Sequence, residues 1–274
     1  MKTELYKITT LSNLHVGSGD INFDIIDNQV QRDPITGLPN INSSSLKGAF
    51  REHFTRDGNE SNMVKYIFGP ENSSDDSHQT GAYSFFEAQF LTRPARSNVK
   101  PYFNATTPQI IRHFLNTIEE FTIEFDENLK KELEKFSNIE VKDESPVIFE
   151  NIKNAILEDE KAIFSSFDTS KLSEFLGENL ALFSTKDFKE LDLPVLARNA
   201  LDNGVSKNLW YEEVVPKQST FFFCIAKPEN IDPKDYGQKI KGFENRFDNE
   251  GEKIQIGANK SIGYGFSKIV KVSK

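Results

Sequence analysis

The chain has 274 residues, 37% hydrophobic and 12% aromatic, with 42 acidic against 33 basic side chains and a net charge of −9. This composition excludes a disordered chain and suffices for one large core or two small ones. The single cysteine, Cys224, excludes an intrachain disulfide and a cysteine zinc cluster.

No apolar run approaches the roughly 18 residues of a membrane span. The opening MKTELYKITT has no signal-peptide core, so a cytoplasmic protein is expected. The 24 phenylalanines are read mainly as core, because stacking on RNA would require basic neighbours on an exposed sheet. The negative charge at first opposes nucleic-acid binding. Residues 119–160, however, hold 14 acidic and five basic side chains, leaving 28 of each sign elsewhere. Basic residues cluster at Arg32, Lys47, Arg51 and Arg56, and again at Arg93, Arg96 and Lys100. A neutral body with such patches can hold phosphates across a Debye length of about 8–10 Å.

In chain order, residues 3–11 are predicted as a strand, followed by a Gly-, Asp- and Asn-rich loop. Turn chemistry at Asp33-Pro34-Ile35-Thr36-Gly37-Leu38-Pro39 precedes a helix capped by Ser43, Ser44 and Ser45 and running to about Phe54. Leu46, Phe50 and Phe54 recur every four residues on one face. A second helix over about 61–67 stops at Gly69-Pro70, and 71–80 is a polar loop. Residues 82–92 read as a buried strand, 93–97 as a loop, and 108–120 as an amphipathic helix with Ile110, Ile111, Phe114, Leu115 and Ile118 on its apolar face. The stretch 121–186 is the least legible and is treated as an insertion. An extended excursion over 193–216 turns at Asp202-Asn203-Gly204, and 219–226 and 266–272 are strands. Strands alternating with amphipathic helices indicate an α+β sheet with helices on one face, which a ferredoxin-like (RRM-like) core would satisfy. The expected organisation is a first core part over 1–115, an acidic insertion over 116–186, and a completing part over 187–274 that carries a hairpin at about 196–216.

Three places could carry chemistry. Asp27 ends a loop that also holds Asp20 and Asp24. Such an acid can position or remove a proton in phosphoryl-transfer chemistry, which also needs stabilisation of the charge on phosphorus. A carboxylate of ordinary acidity, about 3.9, is a weak base, and suits orienting a hydroxyl or holding a hydrated divalent ion. The plainer reading is a loop acid in an Asx turn. His15 could touch RNA or assist the leaving group, or bond the loop backbone. Ser44, Ser45, Lys47 and Arg51 sit where helix N–H groups, hydroxyls and two same-face cations would meet an RNA backbone. Finally, residues 256–266 (IGANKSIGYGF) form a glycine-rich loop containing Gly257, Lys260, Gly263 and Gly265. It lacks the Gly-Lys-Ser/Thr ending of a Walker loop, and it precedes a strand rather than the helix of a dinucleotide site.

Taken together, these motifs resemble the RAMP superfamily of CRISPR RNA-binding proteins, and most closely the repeated backbone subunit of type III-B (Cmr) effector complexes. The match joins His15-x-Gly-x-Gly, Asp27 through Gln31-Arg32, Thr36-Gly37-x-Pro39 and the Ser-Ser-Leu-Lys-Gly core. It continues through Phe86-Glu87-Ala88, Arg93-Pro94-Ala95-Arg96-Ser97, Leu196-Ala197-Arg198-Asn199, Leu209-Trp210-Tyr211-Glu212-Glu213 and the closing glycines. Matched blocks span 1–115 and about 180–274. Gln29 stands where the family has proline, Asn42 and Ser43 replace Pro-Gly, Glu87 replaces aspartate, and Asn259 and Lys260 differ from the usual loop.

The resemblance implies an RRM-like core with an inserted lid and a thumb hairpin that wedges into the guide–target duplex. It implies stacked copies on guide RNA beside other Cmr subunits, and cuts in complementary target RNA at regular intervals. Asp27 falls on the family's catalytic aspartate, with His15 beside it and a divalent metal (Mg2+ or Mn2+) held at Asp27. RNA contacts are expected from Arg32, Ser44, Ser45, Lys47, Arg51, Arg93, Arg96, Arg198, Trp210, Gly257, Lys260, Gly263 and Gly265. A non-catalytic backbone subunit, or a metal-independent guide-processing ribonuclease of the same superfamily, are the alternatives.

Overall fold

The computed structural model describes residues 1–19, 25–56, 61–70, 80–229, 237–248 and 250–274. Asp20, Asp24, the side chain of Arg56 and nearly all of the polar loop 71–80 lie outside the described residues.

The first part runs through β1 (Lys2–Thr10), β2 (Asn40–Ile41), α1 (Ser43–Arg56), α2 (Ser61–Phe68), β3 (Ser84–Phe85), β4 (Ala88–Arg96), β5 (Tyr102–Thr106) and α3 (Pro108–Glu120). Then come α4 (Glu127–Ser137), β6 (Val147–Ile148), β7 (Ile156–Leu157), β8 (Glu160–Lys161), β9 (Ile163–Phe164), α5 (Ser173–Leu176), β10 (Leu180–Leu182) and α6 (Thr185–Glu190). The chain closes with β11 (Val195–Asp202), β12 (Val205–Glu213), β13 (Thr220–Lys227), α7 (Gly237–Glu244), β14 (Glu252–Gln255) and β15 (Phe266–Lys271).

Eleven strands share one sheet in the order β14-β15-β1-β13-β4-β5-β10-β6-β9, with β2 also on β4 and β3 on β13. Its centre, β15-β1-β13-β4, is antiparallel throughout, whereas β10 runs parallel to β5 and β9 parallel to β6. The fold is therefore α+β with a large mixed sheet. One sheet face carries Tyr6 and Phe223, whose rings pack on Phe50 of α1 and on Phe247. The other carries Phe222, packed edge-on against Phe114 of α3 at 5.1 Å. Burying each such ring stabilises the fold by roughly 1.5–3 kcal/mol relative to leaving it in water.

The four-residue spacing of α1 works as expected: Leu46, Phe50 and Phe54 are buried. In α3, Pro108 starts the helix, Thr107 caps it by accepting from the Ile110 N–H, and all five predicted apolar residues are buried. Cys224 is a buried strand thiol whose pKa burial pushes up to about 12. No helix among the described residues is long and apolar enough to cross a membrane.

Residues 93–97 correct the sequence reading. The predicted strand splits into β3 and β4, and β4 continues through Arg96 where a loop was expected. Proline is tolerated because pairing with β13 ends at Thr92, leaving Pro94 paired only with Asn104 of β5. The stretch 121–186, illegible by periodicity, adds β6, β9 and β10 to the sheet in pieces of two or three residues.

A buried charge network ties the two ends of the chain. Lys227 lies 2.9 Å from Glu4 and 2.7 Å from Glu244, Lys271 lies 3.1 Å from Glu4, and the Tyr6 hydroxyl donates to Glu4 at 2.9 Å. Burial alone would raise the Glu4 pKa, but the hydrogen bonds and charges of Lys227 and Lys271 outweigh it and hold Glu4 below its ordinary 4.5. A depressed carboxylate stabilises the fold above its unfolded pKa, and that contribution is lost as pH falls through the folded value. Thermal melting should therefore fall as pH drops below about 4.5, and Glu4→Gln should flatten that part of the acid limb. An unchanged acid limb in the variant would remove Glu4 as its source.

Candidate nucleic-acid interface

Strands β11 and β12 form a two-stranded ribbon apart from the main sheet. It turns at Asn203 and Gly204, both with positive φ (51° and 80°), the geometry that favours tight hairpins. Leu201, Val205 and Leu209 are more than half exposed. At the root the pattern reverses, and Glu212, Glu213 and Val214 are buried.

Two loops are fastened to this root. The segment holding Asp27 runs alongside β12. The Tyr211 N–H donates to Asp27 Oδ2 at 2.8 Å, the Asn28 N–H to the Tyr211 carbonyl at 3.1 Å, and the Glu213 N–H to the Asn28 carbonyl at 2.9 Å. The Glu213 carboxylate accepts from Arg32 Nη2 at 2.5 Å and from the Val30 N–H at 3.0 Å. On the other side, Glu212 accepts from Arg198 Nε at 3.0 Å and from Asn259 Nδ2 of the glycine-rich loop at 2.5 Å. The Arg198 guanidinium lies 4.7 Å from the Tyr264 ring centre. Neighbouring strand residues point to opposite faces, so two adjacent glutamates hold two different loops.

The glycine-rich loop also presses on His15. The Ala258 N–H donates to the His15 carbonyl at 2.9 Å, and a Cβ on Gly257 would lie 2.3 Å from that oxygen. A Cβ on Gly265 would lie 1.9 Å from the Ile256 carbonyl. Both glycines also have positive φ, so neither position accepts a side chain.

The predicted residues divide on this geometry. Asp27 is exposed, fixed by one oxygen on β12. His15 is buried, with Nδ1 2.7 Å from the Glu213 carbonyl, so it braces the hairpin root rather than standing on the surface. Arg32 and Arg198 are engaged with Glu213 and Glu212, and Trp210, opposite Arg198 in the ribbon, is half-buried. Ser44 is exposed, while Ser45 and Lys47 in the first turns of α1 and Arg51 in its third are half-buried. Lys260 lies 3.7 Å from Glu52 of α1, which brings the glycine-rich loop beside that helix, and Gly263 opens onto free space.

Arg93 and Arg96 have protein partners that the sequence did not reveal. Arg93 is buried and donates to the carbonyls of Leu191 and Asp192 at 2.9 Å each, anchoring the approach to the hairpin. Arg96 pairs with Glu158 at 2.7 Å, and Lys100 with Glu150 at 2.5 Å. The acidic stretch thus pairs with Arg96 and Lys100 of the basic cluster that the sequence offered to RNA. Glu212, Glu213 and Asn259 were missed as site residues. Their signal was two acids at the end of a strand, directly before an apolar Val214-Val215 pair.

No group of three His, Cys, Asp or Glu side chains gathers among the described residues. Among the described residues, a metal at Asp27 would have this one carboxylate as its ligand and would keep most of its water, as magnesium commonly does.

Comparison with known proteins agrees with this architecture. Residues 7–268 match the RAMP superfamily. A curated relative, the CRISPR system Cmr endoribonuclease Cmr4 of Pyrococcus furiosus, is 27% identical over 98% of this chain and 95% of its own length. A chain of the type III-B Cmr-beta complex bound to cognate target RNA superposes with a TM-score of 0.77 at 21% identity, covering 99% of this chain and 98% of the other. Oligomeric Cmr4 from Pyrococcus furiosus gives a TM-score of 0.70 at 22% identity, covering 100% and 99%.

Proposed function

The chain belongs to the RAMP superfamily, and from that premise we propose that it is a type III-B effector backbone subunit that binds guide RNA and cuts complementary target RNA. The observation carrying this reading is the bond from the Tyr211 N–H to Asp27 Oδ2, 2.8 Å long, which holds an exposed carboxylate at the root of an exposed hairpin. The curated relative is named as an endoribonuclease, and one structural neighbour is bound to target RNA. The central strand order β15-β1-β13-β4, all antiparallel, supports a ferredoxin-like (RRM-like) core.

In this mechanism the exposed apolar hairpin separates bases of the guide–target duplex, and unstacking at that step frees the sugar to rotate. Asp27 orients the adjacent 2′-hydroxyl and accepts its hydrogen bond as the oxygen attacks phosphorus. The O2′–P bond forms as the P–O5′ bond breaks, the 2′ proton passing to Asp27 and the leaving 5′-oxygen taking a proton from water, which leaves a 2′,3′-cyclic phosphate and a 5′-hydroxyl. A hydrated Mg2+ or Mn2+ on Asp27 would stabilise the charge growing on the phosphate oxygens. The α1 N-terminus with Ser44, Ser45, Lys47 and Arg51, and the loop around Lys260 and Gly263, hold the guide backbone. Copies stack along one guide, so cuts recur at the subunit repeat, and sequence choice lies in base pairing. Work of this kind belongs in the cytoplasm.

The test is assembly with guide RNA and Mg2+ on an end-labelled complementary RNA. Cuts at a regular interval, ending in cyclic phosphate and suppressed by a chelator, are expected. A single cut in precursor guide RNA that survives the chelator would instead make the chain a processing enzyme.

A further inference from the structure

A second cationic site lies away from the hairpin root. Cross-strand pairs Thr9–Lys268 and Lys7–Val270 put Lys7 and Lys268 on one face of β1 and β15. These strands form one wall of a cleft of about 780 Å3, whose other wall comes from Phe125, Asp126, Asn128, Glu174 and Phe175, with Asp126 already paired with Lys274 at 3.2 Å. Other lysines around it are engaged, Lys271 with Glu4 at 3.1 Å and Lys171 with Glu132 at 3.2 Å. Among the described residues Lys7 and Lys268 form no ion pair. Lys7 Nζ instead donates to the Phe175 carbonyl at 2.7 Å and lies 5.1 Å from that residue's ring centre.

Four lysines line the cleft against two carboxylates, Asp126 and Glu174. Burial lowers the Lys7 pKa to about 8 even though Glu174 favours the cation, and the like charge of Lys268 adds to the lowering. A partly desolvated cation kept beside a second cation works against folding unless something uses the charge. An anion entering the cleft would relieve both lysines at once, and the two rings give its organic part an apolar wall.

We propose that this cleft binds the phosphate group of a nucleotide unit, with Lys7 and Lys268 on the phosphate, Thr9 and Asn128 within its polar reach, and the base against Phe125 and Phe175. It lies on the sheet face opposite α1, so it is distinct from the guide-binding surface proposed above and does not depend on Asp27. The phosphate could be that of a free nucleotide or of an RNA strand, and aromatic walls beside lysines suit either.

Calorimetric titration of the full chain with AMP, and separately with a short oligouridylate, tests this against Lys7→Met and Lys268→Met. Each variant should weaken binding at least about tenfold, the loss typical of one charged contact. Lys7→Met should also melt at the wild-type temperature or higher, because it removes a poorly compensated charge while keeping the stem. Binding of AMP identifies a nucleotide site, and binding of the oligomer alone identifies an RNA-strand site. The proposal is overturned if neither probe binds, or if Lys268→Met binds like wild type. A fall in melting temperature for Lys7→Met with Lys268→Met unaffected in binding would make Lys7 a structural strut.

Discussion

Asp27→Ala should abolish the regular cuts, slowing single-turnover cleavage by at least about 100-fold, the lower range for loss of a positioned acid–base group. Guide and target binding should stay within about twofold. The asymmetry follows from the surroundings of Asp27. Its carboxylate is exposed and takes one protein hydrogen bond, from the Tyr211 N–H. Water can satisfy that N–H when the side chain is removed, so the stability change should be within about 0.5 kcal/mol. Asp27→Asn keeps an acceptor for Tyr211 and loses the charge, so it should bind normally and remain as slow as alanine. Cutting that persists in both variants would leave the chain as a scaffold and pass the chemistry to Asp20, Asp24 or another subunit.

Glu213→Ala should have the largest effect on stability of any change at the site. Glu213 is buried and its carboxylate satisfies both Arg32 and the Val30 N–H. Removing one partner of a buried pair costs about 3–5 kcal/mol. Because Arg32 retains substantial access to water, about 2–3 kcal/mol is the better expectation after screening. For a chain of this size that lowers the melting temperature by about 4–10 °C. Glu213→Gln preserves the shape and the bond from Val30, so it should lose less. Cleavage should fall with either change, since the segment carrying Asp27 is held by the same residue. A melting curve identical to wild type for Glu213→Ala would show that the ion pair adds nothing net.

The elements visible in the sequence were those whose rules are local. The four-residue apolar spacing placed α1, Thr107-Pro108 opened α3, and Asp202-Asn203-Gly204 marked the hairpin turn. The stretch 121–186 escaped because β6, β9 and β10 are two or three residues long, too short for any period to register. Residues 93–97 misled because proline signals a loop unless the neighbour on its N–H side is known to be missing. At the site, Asp27, His15 and the closing glycines were legible as a motif, but Glu212 and Glu213 were not. Their role depends on partners 14 and 181 positions away, Arg198 and Arg32. The carbonyl partners of Arg93 and the Glu158 partner of Arg96 were hidden for the same reason, although Arg96 stays largely exposed.

The ribbon of β11 and β12 has no core of its own, and this gives its root a mechanical role. Eight residues of strand span about 27 Å, so the hairpin acts as a lever pivoted where Glu212 and Glu213 clamp it. A tilt of about 10° at that pivot would carry the tip roughly 5 Å, more than the rise between stacked bases in a duplex. Aim is therefore decided at the pivot, by two buried carboxylates, and substitutions there would be felt as misplacement at the far end of the arm.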